Sequence, residues 1–384
     1  MKLRVAFTGG GTGGHVYPAL AIDDALRAAY GDAYESQFFG NRDGLEATLV
    51  TTIPLTFVPS APLQRSLSLA TLRTVFANAA GVVVALAALA RFKPGMVVAT
   101  GGYVCFPVVV AARILRFVRA IRCGIALLEI NVTPGLTNRL LVPLVDEVWT
   151  TYAASERSFG RKAVVTGAPV RASLLLAKDG PGARERLGLA PEGTTVVVMG
   201  GSQGARSINE AVAALVTRRT LGDGWQVLHV SGERDHAYMQ AEERVLAAGN
   251  RVRLVPYLDD PADAYAAADV VVGRAGASTL AELAVTGTPA VLIPYPFAAD
   301  QHQAHNAALF AESGAAVVLP DAELDGDRLW WTLGEVLAPD RNRAMRTAAR
   351  SLAPRNASAA IVSRVEALVA ARVGTVTEAN TSRP

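Results

Sequence analysis

The chain has 384 residues, 51% of them hydrophobic and 18% charged, which excludes an intrinsically disordered polypeptide and supplies material for two cores of ordinary size. Its net charge of +3 is too small and too scattered to indicate nucleic acid, and it fits anionic small molecules or an anionic membrane surface better. Two cysteines, Cys105 and Cys123, give neither a disulfide framework nor a metal spacing, and the five histidines are dispersed, so a reducing compartment and no metal site are expected.

In chain order, "LRVAF" reads as a first strand that runs into "TGGGTGG" and then into a helix from about Val16. "SQFFG" follows as a second strand. The uncharged run Thr74 to Ala90 contains Thr74, Asn78 and Gly81 and is 17 residues long. A spanning helix needs about 20 strongly apolar residues, so this one is read as buried or lying on a membrane, with no transmembrane anchor. "MVVAT" runs into "GGYVCFP", and "ARILRFVRAIR" then places Arg113, Arg116, Arg119 and Arg122 three apart. That repeat keeps the four arginines on one broad helix face, which suits either an anionic membrane or an ordinary amphipathic helix.

After Gly167 the scheme restarts with "TTVVVMG" into "GSQGARSIN", then "WQVLHVSG", "DVVVGRAGASTLAEL" and "PAVLIPYP". Alternating strands, glycine turns and helices predict an α/β chain of two doubly wound, Rossmann-like domains facing across a cleft. The expected divisions are 1–167, 168–352, a helix of about 353–373 returning to the first domain, and a polar tail at 374–384.

Gly9, Gly11 and Gly14 satisfy GxGxxG, but "FFGNRDG" offers Gly40 and Asn41 where a nicotinamide site wants an acid for the ribose. Glycine turns at 9–14, 101–103, 200–204 and 273–278 share a more general property. Their bare N–H groups converge at positive helix ends, where an oxyanion or phosphate is held. Glu282, one turn beyond Ser278, is placed to meet a ribose diol, and "PYPFAADQHQAHNA" crowds Asp300, Gln301, His302, Gln303 and Asn306 into a surface suited to sugar hydroxyls.

With "GGGTGGHVYPALA", "GGYV", "EINVTPGLTNR", "TGAPVR", "GGSQGARSIN", "RAGASTLAE" and "YPFAADQHQAHNA" in this order over nearly the whole length, the sequence resembles the MurG family of GT-B peptidoglycan N-acetylglucosaminyltransferases. The resemblance implies inverting transfer of GlcNAc from UDP-GlcNAc to the 4-hydroxyl of MurNAc on lipid I, giving lipid II, without a cofactor. It implies a peripheral position on the cytoplasmic face of the membrane and partners among cell-wall synthesis and division proteins.

Thr12, Gly13, Gly14, Asn131 and Arg171 match donor contacts of the family, Ser202 the diphosphate contact, and Leu258 the backbone position that reads uracil. Ala277, Ser278, Thr279, Leu280, Ala281 and Glu282 match its phosphate and ribose segment, and Gln303 a sugar contact. Tyr103, Asn138, Gln203, Arg274 and Asn306 lie in the same motifs as supporting residues. His15 is the candidate base for the acceptor hydroxyl, and Glu129 a further catalytic candidate. Leu128 and Ile130 stand where the family usually has His and Gln, which bears on the acceptor side. The rival expectations are another GT-B enzyme acting on a lipid or natural-product acceptor, and a non-catalytic nucleotide-sugar-binding paralogue.

Overall fold

The computed structural model describes residues 2–62, 69–176, 180–201, 204–218, 224–246, 251–352 and 356–373. Ser202, Gln203 and the expected tail at 374–384 lie outside the described residues. The chain divides into two compact units, residues 1–170 joined by the C-terminal stretch from Asn356, and residues 171–355.

In the first unit, β1 (Leu3–Thr8), β2 (Tyr34–Gly40), β3 (Leu55–Phe57), β4 (Met96–Ala99), β5 (Gly124–Glu129), β6 (Glu147–Thr150) and β7 (Ala163–Val165) form one parallel sheet. Its order is β3-β2-β1-β4-β5-β6-β7. The short apolar strands are buried on both faces, as β4 and β5 are at every position, because helices cover both sides of a parallel sheet. Gly124 opens β5 where the helix Ala357–Val373 crosses the sheet; a Cβ there would stand 2.9 Å from Leu368 Cβ.

That terminal helix buries Ile361, Val365, Leu368 and Val369 and is tied by ion pairs to the start of β6 and the residue before it. Arg364 pairs with Glu147, whose Oε2 also accepts from Trp149 Nε1 at 2.9 Å, and Arg372 donates to Asp146 Oδ1 at 2.9 Å.

The second unit repeats the design with β8 (Thr194–Met199), β9 (Trp225–Val230), β10 (Arg251–Val255), β11 (Val270–Gly273), β12 (Ala290–Leu292) and β13 (Ala316–Val318). These strands are parallel in the order β10-β9-β8-β11-β12-β13. Each sheet therefore reverses its winding once, between β1 and β4 and between β8 and β11. All four glycine turns follow these four strands, at the places where doubly wound sheets receive ligands.

Two expectations about helices change. The first helix is Gly13–Tyr30, not one starting near Val16, because Thr12 is already the extended N-cap (φ −143, ψ 156) and the later glycines form the first turn. The arginine repeat does not share a helix face: the helix Cys105–Phe117 ends before Arg119, which sits at φ 60. Arg116 turns inward and donates to Asp146 Oδ2 at 2.5 Å and to the Cys123 carbonyl at 3.3 Å, while Arg113, Arg119 and Arg122 are exposed.

Asp146 thus joins Arg116, Arg372 and the Ile125 N–H at 2.9 Å. Burial alone would push its carboxyl up, but the Arg116 and Ile125 bonds and the two arginine charges bring it below the ordinary carboxylate value. A depressed carboxyl stabilises the fold above the unfolded-state pKa and loses that contribution as pH falls through its folded value. Asp146→Asn should therefore cost the first unit ~2–4 kcal/mol at neutral pH in urea unfolding, with the gap from the parent narrowing below about pH 4.

Candidate active site

The first glycine turn makes its closest approach to the turn after β4. The Gly10 N–H donates to the Gly101 carbonyl at 3.2 Å, and a Cβ on Gly102 (φ 88) would overlap the Gly10 carbonyl oxygen. Gly101 (φ 107) faces the ring of His15, with Cδ2 2.7 Å from the place a Cβ would take. Only glycine meets both conditions, positive φ and no side chain.

His15 Nδ1 lies 2.8 Å from the Gly10 carbonyl, which can only accept, so Nδ1 carries a proton and, in the neutral ring, Nε2 the lone pair. The Thr12 hydroxyl adds a longer contact to Nδ1 at 3.3 Å. Thr12, Gly13 and Gly14 cap and open the helix, so their backbone N–H groups lie at its positive end. Tyr103 lies against Gly11 (φ 84), its Cε1 3.3 Å from where a Cβ would be.

Beneath this loop lies Glu46, a residue that the sequence motifs do not mark. Its carboxylate is fully buried and accepts the Gly11 N–H at 3.2 Å and the Asn41 N–H at 2.7 Å. A Cβ at Gly10, Gly40 or Gly44 would collide with its side chain. In sequence, only Gly40 and Gly44 of "GNRDGLEA" precede this acid, a pattern that does not distinguish it from Asp43.

Glu129, the other acid of the first unit singled out by sequence, closes the loop after β5. Its Oε1 accepts from Asn131 N and Nδ2, each at 3.0 Å, and its Oε2 from Gly135 N at 3.2 Å and Asn138 Nδ2 at 2.8 Å. With both oxygens held by these donors, the carboxylate positions Asn131 and Asn138. Leu128 and Ile130 are buried apolar side chains, so these two positions are filled by core packing.

In the second unit, Gly273 passes the Met199 carbonyl with 2.5 Å between that oxygen and a would-be Cβ, and Gly204 (φ 75) passes the Ser231 carbonyl as closely. His229 lies behind this turn, donating from Nε2 to Asn209 Oδ1 at 2.9 Å; burial pushes its imidazole down to about 4, so it is a neutral core group and not a base. The helix Ala277–Thr286 starts from extended Gly276, and the Ser278 hydroxyl in its first turn is buried with no hydrogen-bond partner among the described residues. Ala277, Thr279, Leu280 and Ala281 complete that turn and its apolar underside.

Glu282, one turn on, accepts from the Tyr265 hydroxyl at 2.8 Å; burial raises its carboxyl above the usual value, and the Arg171 charge opposes the rise. Arg171 also donates to the Asp259 carbonyl in the loop that holds half-buried Leu258. Arg274 donates to Asp321 Oδ1 at 2.5 Å and to Ser207 Oγ at 2.9 Å, fastening the turn after β11 to the helix Arg206–Arg218.

The sugar-suited segment is built on two consecutive left-handed residues, Asp300 (φ 50) and Gln301 (φ 52), before the helix His302–Glu312. There the Gln303 Oε1 accepts from Tyr295 N at 2.9 Å, and buried Asn306 donates to the Ala275 carbonyl at 3.3 Å. The second unit therefore gathers Arg171, Leu258, Ser278, Glu282, Gln303 and Asn306 around β11, and the first gathers Thr12, His15, Tyr103, Asn131 and Asn138 around β1, β4 and β5.

The N-terminal domain model of glycosyltransferase family 28 matches residues 5–150, and the C-terminal domain model of that family matches residues 195–362. A protein of Moorella thermoacetica named UDP-N-acetylglucosamine–N-acetylmuramyl-(pentapeptide) pyrophosphoryl-undecaprenol N-acetylglucosamine transferase is 42% identical over 94% of this chain and 97% of its own. A protein of the same name from Desulfitobacterium hafniense is 41% identical over 91% of this chain and 95% of its own. The crystal structure of Acinetobacter baumannii MurG superposes with a TM-score of 0.74 at 25% identity, covering 95% of this chain and 99% of that one. On these matches, which run through both units, the chain belongs to the MurG family of N-acetylglucosaminyltransferases and has the GT-B fold.

Proposed function

We propose that this chain transfers GlcNAc from UDP-GlcNAc to the 4-hydroxyl of the N-acetylmuramyl unit of a pyrophosphoryl-undecaprenol acceptor, with inversion at the sugar carbon. The observation that carries the reading is the placement of all four glycine turns on the strands that flank the two winding reversals, in a chain of this family.

In the proposed step, His15 Nε2 takes the acceptor proton as the acceptor oxygen bonds to the sugar carbon and the bond from that carbon to the UDP oxygen breaks. The charge that collects on the diphosphate is met by the backbone N–H groups at the start of the Ala277–Thr286 helix and by the Ser278 hydroxyl. Glu282, oriented by Tyr265, takes the ribose hydroxyls. Gln303 and Asn306 border the sugar, and Leu258 stands at the base.

The lipid part of the acceptor calls for a membrane-facing surface. The helix Leu69–Phe92 buries one stripe, Thr74, Asn78, Gly81, Ala85 and Leu89, against the segment around Pro59 and the helix Cys105–Phe117. Its stretch Thr71–Phe92, of mean hydropathy 1.9, is by length and composition alone apolar enough to cross a membrane. Leu72, Val75, Phe76 and Val83 on this helix, with Ile114, Phe117 and Val118 next to it in sequence order, are exposed, and Arg73, Arg91, Arg113, Arg119 and Arg122 provide exposed positive charge nearby in the chain. This surface is proposed to rest on the anionic cytoplasmic leaflet.

His15→Ala should lower turnover of UDP-GlcNAc with a short-chain lipid-linked acceptor ~100-fold or more, the usual size of a lost general base; near-normal turnover would remove it, and product only with diacylglycerol would replace the acceptor. Glu282→Ala should weaken UDP binding ~10–100-fold by calorimetry, the loss of one or two hydrogen bonds from a carboxylate, and Tyr265→Phe should weaken it less. Paired Phe76→Ser and Phe117→Ser changes should reduce sedimentation with anionic vesicles at least ~10-fold while sparing turnover of a water-soluble acceptor.

A further inference from the structure

The buried Glu46 carboxylate has no part in the reaction as proposed, yet its surroundings are built around it. Three glycines leave room for it, and two backbone N–H groups hold it where no basic side chain pairs with it among the described residues. A buried carboxylate is costly unless it is hydrogen-bonded, and its remaining charge acts strongly on whatever lies next to it.

One of these two N–H groups belongs to a peptide that also reaches His15. The N–H of the Gly10–Gly11 peptide donates to Glu46 Oε2 at 3.2 Å, and the carbonyl of the same peptide accepts from His15 Nδ1 at 2.8 Å. The described residues contain no cis peptide, so these two bonds leave the unit on opposite sides and in line with its dipole. A carboxylate, a peptide and an imidazole are thereby joined in series.

We infer that Glu46 is a positioning residue that acts on His15 through the Gly10–Gly11 peptide, making the Gly10 carbonyl a stronger acceptor, holding the proton on Nδ1 and favouring the imidazolium. This rests on the reading of His15 as the base. In the reaction the acceptor proton goes to His15 Nε2, and Glu46 neither gains nor loses one. The arrangement offsets a local disadvantage, since His15 lies in the first turn of the Gly13–Tyr30 helix, where the positive helix end disfavours a cation.

Among the described residues, the other ionisable groups around the loop do not duplicate this role. Burial, then Glu46 and Asp43, push the Tyr103 phenol up, and burial pushes the Cys105 thiol up to about 12, so both are neutral near pH 7. Asp43 is exposed and screened by solvent, Arg42 lies over the Phe57 ring, and the Tyr17 ring packs on Gly13.

The test follows the His15 ring nitrogens by NMR in the full-length protein labelled at histidine, together with the pH profile of kcat/KM. In Glu46→Gln the His15 midpoint should fall by ~0.5 pH unit or more, the size expected for loss of a nearby opposite charge, and the acid limb of the profile should move down with it. Glu46→Asp, which keeps the charge, should restore most of the shift. Gly44→Ala keeps every loop residue and displaces the carboxylate by its Cβ, so it should shift the midpoint in the same direction and serves if Glu46→Gln does not fold. An unchanged His15 midpoint in the folded variants overturns the proposal, whatever happens to kcat. A shifted midpoint alongside normal turnover of His15→Ala supports the coupling and overturns only the assignment of His15 as the base.

Discussion

Backbone must pass backbone at the carboxyl ends of the strands that flank each winding reversal, and this constraint organises the molecule. Gly102 against the Gly10 carbonyl, Gly273 against the Met199 carbonyl and Gly204 against the Ser231 carbonyl are the same solution used on both sheets. Bare turns expose N–H groups at the positive ends of the helices that follow, which is what a diphosphate needs. The condition that lets the loops pack is therefore also the condition that lets them bind, and the two cannot be varied separately.

Three carboxylates stand close to these turns with different degrees of satisfaction. Glu129 accepts four hydrogen bonds, and Glu46 accepts one N–H on each oxygen. Both belong to the frame. Among the described residues, Glu282 accepts one hydrogen bond, from the Tyr265 hydroxyl at Oε2, and its carboxyl is raised by burial. The difference lies in what surrounds each acid and not in the acid itself.

Sequence carried the fold well because each strand, glycine turn and helix is a local pattern that the parallel α/β architecture repeats. It also located the loops that hold Thr12, His15, Asn131, Ser278, Glu282 and Gln303, since those loops are defined by short runs. It failed where a tertiary contact decides. Arg116 looks like its neighbours at a three-residue spacing, and it is Asp146, 30 residues away, together with the Cys123 carbonyl, that draws it inward. Sequence does not show that Asn138 and the Gly135 N–H fold back onto Glu129. Glu46 is one acid among several in a polar stretch, and its glycine cage comes from the loop after β1, the end of β2 and the loop after it. The helix start at Gly13 was misplaced because glycine has low helix propensity, while the extended Thr12 cap overrides it.

The helix Leu69–Phe92 is inverted relative to an ordinary surface helix. Four of the five residues in its buried stripe are Thr74, Asn78, Gly81 and Ala85, whereas its solvent face shows Leu72, Val75, Phe76 and Val83. Much of its apolar area is thus left unburied by folding of the chain alone. An amphiphile that covered that face and bound the native state more tightly than the unfolded chain would raise stability by mass action. The thermal midpoint would then vary with amphiphile concentration as a ligand-linked midpoint does.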